Sequence, residues 1–207
     1  MRKTINCDNY KRFNFHVKEK AGGIMRKTVF LTLIFLLATL CGCRKSARFE
    51  DDYPQMRGID HVYEKVGYDD VVDALTVSPG GHVIFFGFDT RYAECPYCVA
   101  CVPLLNEVAI ELGVDKILYI DIYTMRKERT AEYVLLLGYL DGAVGDLLER
   151  NGLKEIIVPD VYVVKDGEIL GHHIATIKDD EGRFIYDLND EQKEEVKAIY
   201  RDLLARL

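Results

Sequence analysis

The chain of 207 residues carries 27 basic and 34 acidic side chains, which gives a formal net charge of −7 at pH 7. The first 43 residues hold 8 basic and 2 acidic side chains, so the rest of the chain has 19 against 32 and a net charge of −13. We therefore predict that no nucleic acid is bound, because binding to phosphates requires clustered Lys and Arg.

Residues 1–24 contain six basic residues and no apolar stretch, whereas an export signal begins close to its basic pair. That pair, Arg26-Lys27, directly follows Met25. We therefore expect Met25 to be the true start and residues 1–24 to be upstream sequence translated in frame. In the alternative interpretation, these residues are a disordered basic extension of the signal.

Residues 25–43 have the features of an export signal: a basic pair and then an apolar core of about twelve residues, too short to span a bilayer as a helix. The segment ends in Leu40-Cys41-Gly42-Cys43, which resembles the lipobox of bacterial lipoproteins. The resemblance implies that Cys43 is lipidated and that the protein is lipid-anchored to a bacterial membrane on its extracytoplasmic side. An uncleaved N-terminal anchor is the alternative.

The following residues, 44–58, are polar and charged and are predicted to be a tether, and residues 59–207 are predicted to form one domain. The domain begins with a predicted edge strand over Val62–Val66 and a short helix over Asp69–Val77. The run His82–Phe86 is apolar after its first residue, as expected for a central strand that is covered on both faces.

Cys95-Pro96-Tyr97-Cys98 follows this strand and opens a helical stretch that ends near Leu112. The first turn of a helix has free N–H groups and a partial positive charge, and both favour a thiolate. Such sites lower the pKa of a cysteine from about 8.5 to roughly 3.5–7.5. The pattern predicts a redox-active disulfide in which Cys95 is the attacking sulfur and Cys98 resolves the mixed disulfide.

Cys101 extends the motif to Cys-x-x-Cys-x-x-Cys, and His172-His173 offer further metal-ligand types. Three sulfurs at this spacing lie along one side of a helix, which suits Cu(I) better than a tetrahedral zinc site. We favour dithiol chemistry without a metal or cofactor, and we interpret Cys101 as a buried small side chain rather than a third thiol. His172-His173 are expected to alternate at the end of a strand, one inward and one outward.

The remaining predicted elements are a strand, a helical insertion, a hairpin and a C-terminal helix. The strand spans Lys116–Ile122. The helical insertion spans residues 123–142, with Tyr133–Leu137 as its apolar part, and helical structure is also expected for Ala143–Asn151. The hairpin spans Val158–Leu170 with a turn at Asp166-Gly167, and the C-terminal helix spans Asn189–Leu207. Asp-Gly between two apolar runs is a strong hairpin signal. Asn189 and Gln192 are spaced as a capping box at the start of the last helix.

These motifs resemble the thioredoxin-like superfamily over residues 60–207. Cys-Pro-Tyr-Cys is also the variant common in glutaredoxins, Pro103 lies where thioredoxins kink this helix, and Pro159 lies where they carry a cis-proline. The resemblance implies an α/β fold with a central mixed β-sheet flanked by helices and a helical insertion before the cis-proline. It also implies that Val158 and Pro159 line the substrate groove.

Two features depart from ordinary thioredoxin. The insertion lengthens the chain before Pro159, and the run Gly87–Glu94 lengthens the approach to Cys95 and lacks the usual tryptophan. Asp89 in this run is a candidate for the buried carboxylate that shuttles a proton to the inner cysteine, and Glu94 is expected to oppose thiolate formation slightly. The departures are similar to those of thioredoxin-like accessory lipoproteins, including bacteriocin-transport accessory proteins.

Together these features predict a membrane-anchored, extracytoplasmic thiol–disulfide oxidoreductase. Its expected partners are cysteine-containing exported proteins and a membrane redox partner, and the motif does not decide between reduction and oxidation. The alternative hypothesis is a non-catalytic binding protein with the same fold. It would be either a Cu(I) carrier through Cys95, Cys98 and Cys101, or a chaperone or transport accessory protein.

Overall fold

The computed structural model describes residues 48–207. The predicted upstream extension (1–24), the predicted signal (25–43) with its lipidation site Cys43, and the first residues of the predicted tether lie outside this range. None of the helices within the described range is long and apolar enough to cross a membrane.

The described chain contains six α-helices, one 3-10 turn and seven strands. In chain order they are α1 (Phe49–Asp52), the 3-10 turn (Pro54–Met56), β1 (Tyr63–Lys65), α2 (Tyr68–Thr76), β2 (Gly81–Gly87), α3 (Pro96–Glu111), β3 (Ile117–Asp121), α4 (Tyr123–Glu128), α5 (Ala131–Val144), β4 (Glu149–Arg150), β5 (Leu153–Lys154), β6 (Asp160–Lys165), β7 (Glu168–Ile174) and α6 (Asp190–Leu204). The predicted strands and helices up to β3 are confirmed to within two residues at each end, and α3 begins at Pro96, directly after the first cysteine of the motif.

Five strands form one mixed sheet in the order β1-β3-β2-β6-β7. Strand β3 pairs in parallel with both β1 and β2, whereas β6 is antiparallel to β2 and β7. This strand order, with helices on both faces, is the thioredoxin-like arrangement that the sequence predicts. The fold class is therefore confirmed.

The central strand β2 contributes four consecutive buried side chains, Val83 to Phe86. A strand can bury both of its faces only if helices cover the sheet on both sides. On one face α3 and α6 pack together, and on the other Tyr139 of α5 donates a hydrogen bond of 2.6 Å to the Leu75 carbonyl of α2. The core therefore lies between the sheet and these two helix pairs.

The segment predicted to be a tether is folded from Phe49 onward, which corrects the prediction for residues 44–58. Phe49, Tyr53 and Met56 are almost fully buried in the core. The ring of Phe49 stacks on Tyr63 of the edge strand, with 4.1 Å between ring centroids. Burial of three large apolar side chains outweighs the charged residues between them, because each such side chain contributes about 1.5–3 kcal/mol.

The insertion before the cis-proline is helical, as predicted, but only in its first part. Helix α5 ends at Gly145, which has a left-handed φ of 73°. The helix predicted for Ala143–Asn151 is therefore wrong, and the small hairpin β4–β5 follows instead. Asn151 and Gly152 form its turn with φ values of 53° and 75°.

The predicted hairpin and C-terminal helix are confirmed. Asp166 and Gly167 connect β6 and β7 with φ values of 50° and 81°, the pair of positive angles that a tight two-residue hairpin turn needs. At the start of α6, the Asn189 side chain accepts a hydrogen bond from the Gln192 backbone, and the Gln192 side chain accepts one from the Asn189 backbone. This reciprocal pair is a capping box.

Candidate active site

Cys95 and Cys98 form a disulfide, with their sulfur atoms 2.03 Å apart, at the N-terminus of α3. Cys95 caps the helix, and its Sγ accepts a hydrogen bond of 3.2 Å from the Cys98 backbone N–H. Cys95 retains 6% of its exposure, whereas Cys98 is fully buried. This difference is what an outer attacking sulfur and an inner resolving sulfur require.

Two prolines lie in the first part of α3, Pro96 at its first position and Pro103 inside the helix. Pro96 occupies the first helical position, where its missing N–H has no partner in any helix. Pro103 lies inside the helix and removes the hydrogen bond that the carbonyl of Val99 would otherwise accept. The sequence thus fixes both the start of the helix and the interruption one turn beyond the disulfide.

The peptide bond between Val158 and Pro159 is cis and lies opposite the disulfide. The carbonyl oxygen of Val158 is 4.0 Å from Cys95 Sγ. The structure therefore brings together all four residues that the sequence singles out for exchange chemistry and substrate contact.

An open groove of about 690 Å³ borders the outer sulfur. Its walls come from the approach loop (residues 88–94), the first turns of α3 and the loop before α6 (residues 175–189). The lining residues are Thr90, Glu94, Cys95, Pro96, Val99, Ala100, Tyr186 and Asp187. Two of the lining side chains are large, apolar and exposed, namely Val99 and Tyr186. The groove is thus accessible and partly apolar.

Tyr97, the third residue of the motif, holds the loop before α6 against the site. Its hydroxyl donates a hydrogen bond of 3.1 Å to the carbonyl of Phe184, and its ring meets Tyr186 edge-on at 5.2 Å. The aromatic residue between the two cysteines therefore fixes the far wall of the groove. The sequence gives no sign of this contact, because Tyr186 lies almost ninety positions further along.

The approach loop is held by a buried ionic network. Arg91 binds Asp89 through Nε and a terminal nitrogen, at 2.9 and 2.6 Å, and the same terminal nitrogen contacts Asp52 at 2.9 Å. Asp52 also pairs with Lys65 and accepts a hydrogen bond of 3.0 Å from the Tyr119 hydroxyl. Both aspartates are buried.

This network changes the interpretation of Asp89. Burial raises the pKa of this carboxyl, but the hydrogen bonds and charge of Arg91 outweigh burial and leave the pKa below its ordinary value. A carboxylate that is kept ionised by a bound guanidinium is a weak proton acceptor. The structure thus gives Asp89 the role of a partner for Arg91 in shaping the loop.

A third buried carboxyl, Asp160, follows the cis-proline and was missed in the sequence. Asp160 is fully buried, and its Oδ1 is 2.9 Å from Nδ1 of His172, whose Nε2 is 3.1 Å from Oδ1 of the exposed Asp146. Burial raises the pKa of Asp160 to about 6. The signal that could have revealed this group is an acidic residue at the head of an apolar strand.

His172 and His173 lie on opposite faces of the sheet, and both are half-buried. His172 stacks on Tyr162 at 4.7 Å, and His173 meets Tyr200 of α6 edge-on at 5.9 Å. Burial lowers the pKa of His172, but the adjacent carboxylates Asp160 and Asp146 outweigh burial, and the net effect is a raised pKa. The predicted alternation is correct, but neither ring points fully to solvent.

Cys101 lies apart from the disulfide chemistry. Its thiol is buried and 3.1 Å from the carbonyl oxygen of Ala175, to which it donates. Burial raises the pKa of this thiol to about 12. A protonated, enclosed thiol fits the predicted role of a small core side chain.

Three thioredoxins are among the solved structures that the chain is similar to. Thioredoxin O2 from Arabidopsis thaliana, in its oxidised state, has 15% sequence identity and a TM-score of 0.40, with 70% of this chain and 96% of that chain covered. Thioredoxin from Trypanosoma brucei brucei has 14% identity and a TM-score of 0.38, with 72% and 97% covered. Thioredoxin from Malassezia sympodialis has 13% identity and a TM-score of 0.39, with 69% and 90% covered.

No family model matches the chain, and neither does any curated protein. Similarity at these identities and TM-scores says nothing about activity. The fold is therefore assigned from its own strand order, and the chemistry of the site from the geometry of the disulfide and the cis-proline.

Proposed function

We propose that this protein is a thiol–disulfide oxidoreductase that acts on cysteines of exported polypeptides. The observation that carries the proposal is the Cys95–Cys98 disulfide at the N-terminus of a 16-residue helix, with Cys95 Sγ 4.0 Å from the Val158 carbonyl beside a cis-proline. The helix N-terminus stabilises a thiolate on Cys95 once the disulfide is reduced.

In the reductive direction, the Cys95 thiolate attacks one sulfur of a client disulfide. The client S–S bond breaks, a Cys95–client bond forms, and the other client sulfur leaves as a thiolate. Cys98 then attacks Cys95 Sγ, which breaks the mixed disulfide and re-forms the Cys95–Cys98 bond. Two electrons and two protons pass from the dithiol to the client, and the oxidative direction is the reverse.

The position of the cis-proline segment supports contact with a polypeptide substrate: Val158 and Pro159 are largely buried, but the Val158 carbonyl oxygen lies 4.0 Å from the outer sulfur. An extended client segment that reaches Cys95 would run along this backbone edge. Val158 and Pro159 are accordingly the proposed substrate-binding residues. Main-chain hydrogen bonds to such an edge are independent of client sequence, which suits an enzyme with several clients.

The proposed location is the outer side of a bacterial membrane, with lipid on Cys43 as the anchor. The support for this part is the basic pair, the apolar core and the Leu-Cys-Gly-Cys sequence at residues 40–43. A membrane redox partner is proposed to reset the disulfide. Metabolic labelling with a radioactive fatty acid tests the anchor, and an unlabelled parent chain together with an unlabelled Cys43→Ser chain would contradict it.

Trapping of the mixed disulfide tests the proposed activity. In a Cys98→Ser variant the resolving thiol is absent, so a client disulfide should remain attached to Cys95 and survive non-reducing electrophoresis. The Cys95→Ser variant should trap nothing, and Cys101→Ser should behave as the parent does. Equal trapping by Cys95→Ser and Cys98→Ser would contradict the assigned roles.

The Cu(I)-carrier hypothesis requires three sulfurs that converge. The burial of Cys101 against the Ala175 carbonyl disfavours it, because a thiol with a raised pKa binds metal poorly. Purified reduced protein that retains one equivalent of Cu(I) and fails to trap a client would favour this rival over the oxidoreductase.

A further inference from the structure

Two acidic side chains border the groove beside the outer sulfur. Glu94 immediately precedes Cys95, and Asp187 lies on the opposite wall, in the loop before α6. Both residues are exposed, and neither carboxylate makes an ion pair or a side-chain hydrogen bond with any residue in 48–207. These two negative charges are therefore available to a bound molecule.

The two arginines of the groove-forming loops are engaged in ion pairs, and Lys178, which lies over the Phe184 ring at 4.9 Å, does not line the groove. Arg91 of the approach loop is bound to Asp89 and Asp52. Arg183 of the opposite loop is bound to Asp179 and Glu181, at 2.8 and 2.7 Å. The groove thus has two free carboxylates and no basic lining residue.

The rest of the groove surface is apolar and exposed. Tyr186 is 52% exposed and Val99 is 41% exposed, although both are large hydrophobic residues beside the disulfide. Tyr97 contacts the Tyr186 ring edge-on and donates to the Phe184 carbonyl, so this aromatic wall is packed against the start of α3. An exposed apolar surface with a charged rim matches a polypeptide that has an apolar side chain and a charge of the opposite sign.

We propose that this groove selects client segments in which the reacting cysteine is flanked by a Lys or Arg and an apolar side chain. The inference rests on the proposed function and narrows its substrate class. Cationic segments are attracted by Glu94 and Asp187, whereas acidic segments are repelled by them. The preference concerns recognition and does not alter which sulfur attacks.

Three cysteine peptides that differ at one position test the preference. The position next to the cysteine is Lys, Gln or Glu, and the measured quantity is the rate at which each thiol peptide opens the Cys95–Cys98 disulfide of the full-length chain at pH 7. Because a neighbouring charge also alters the pKa of the peptide thiol, each rate is divided by the rate of the same peptide with a small uncharged disulfide.

We expect the normalised rate of the Lys peptide to exceed that of the Glu peptide roughly tenfold at low ionic strength. The ratio should fall toward one in 0.5 M salt, because the Debye length is then about 4 Å and exposed charges further apart than this interact only weakly. Equal normalised rates for the three peptides at low salt would overturn the inference and leave the proposed function intact. Failure of every peptide to react would instead contradict the proposed function.

Charge-neutral variants locate the effect. Glu94→Gln combined with Asp187→Asn should abolish the preference for the Lys peptide. The control is Asp180→Asn combined with Glu191→Gln, which makes the same change in net charge at two exposed residues outside the groove lining. A preference that survives in the groove variant, or that is lost equally in the control, would overturn the inference.

Discussion

Buried carboxylates occur at two places in the molecule, before Cys95 and directly after the cis-proline, and they are paired in different ways. Before Cys95, the carboxylates of Asp52 and Asp89 share Arg91, a cation whose charge does not change with pH. After the cis-proline, Asp160 is paired with His172, a group that titrates near neutral pH. The first cluster is a permanent support for the approach loop, and the second has a charge that varies with pH.

The two kinds of partner give the buried acids two different tasks, which are to fix the geometry of a loop and to hold a proton near neutral pH. A guanidinium fixes the geometry of the loop that leads to the outer sulfur, and it also removes Asp89 as a proton acceptor. An imidazole leaves Asp160 with a pKa of about 6, and His172 connects it to the exposed Asp146. Asp160 and His172 should therefore make stability depend on pH near neutrality.

The largest effect is expected when the permanent cation is removed. Arg91→Met leaves two buried carboxylates without their shared partner and should lower the free energy of unfolding by about 3 kcal/mol, at the low end for buried pairs because Arg91 is 44% exposed. Denaturant unfolding at pH 5.5 and pH 8 measures the loss, which should be larger at pH 8, because burial raises the pKa of a carboxyl that has lost its cation and so favours its protonation at lower pH. The control is Arg183→Met, which removes a solvent-exposed ion pair with Asp179 and should leave the free energy of unfolding almost unchanged.

Asp160→Asn should change how stability depends on pH. The folded pKa of about 6 exceeds the unfolded value, so the folded state binds the extra proton, and the contribution of Asp160 to stability falls as the pH rises from about 4 to 6. Each pKa unit corresponds to ~1.4 kcal/mol, and the charge of His172 offsets part of the cost of ionising Asp160. The free energy of unfolding of the variant should therefore rise by about 2 kcal/mol relative to that of the parent between pH 4 and pH 7. Parallel stability curves for parent and variant would contradict the assignment.

His172→Gln should have a smaller effect with a defined pH window. The pKa of His172 is raised in the fold, so its contribution to stability is complete below the unfolded value of about 6.5 and is lost as the pH rises through the folded value. The variant should therefore be less stable than the parent by ~1 kcal/mol at pH 5.5, and the gap should narrow by pH 8.5. A gap that widens with pH would reverse the sign and exclude the pairing.

Asp146→Asn should have the smallest effect. The Asp146 side chain is 66% exposed, so its interaction with His172 is screened by water, and the expected loss is under ~0.5 kcal/mol. The His172 imidazole pKa, measured by NMR, should fall slightly in the variant because one of its two carboxylate neighbours is neutral. An unchanged imidazole pKa would show that His172 responds to Asp160 alone.

The sequence predicted the sheet, the active helix and the hairpin because their signals are local. Apolar runs, the Pro96 position and the Asp166-Gly167 turn each act over a few residues. The predicted placement of Cys95 and Cys98 at the start of α3 followed from the same kind of signal. The cis geometry at Pro159 was also anticipated, since only an X-Pro bond readily adopts it.

Two errors arose where a stronger feature hid a local signal. Charged residues in 44–58 concealed the spacing of Phe49, Tyr53 and Met56, which bury one side of the segment. The apolar residues around Ala143 concealed the Asn151-Gly152 pair, which is itself a hairpin signal. In both places the decisive residues were visible in the sequence.

The polar clusters could not be predicted in the same way, because each joins residues that are far apart in the chain. Asp52 and Arg91 are 39 residues apart, Asp146 and His172 are 26 apart, and Asp160 and His172 are 12 apart. Only the fold brings such groups into hydrogen-bond contact. The contact between Tyr97 and the loop before α6 belongs to the same class.

The most direct test of the account is the rate at which the reduced full-length chain reduces a client disulfide such as that of insulin. We expect activity in the parent and in Cys101→Ser, and a loss of at least ~1,000-fold in Cys95→Ser, because the attacking thiolate is absent. Activity in Cys95→Ser equal to that of the parent, or its absence from the reduced parent at every pH between 6 and 8, would contradict the claim that this disulfide exchanges with a client.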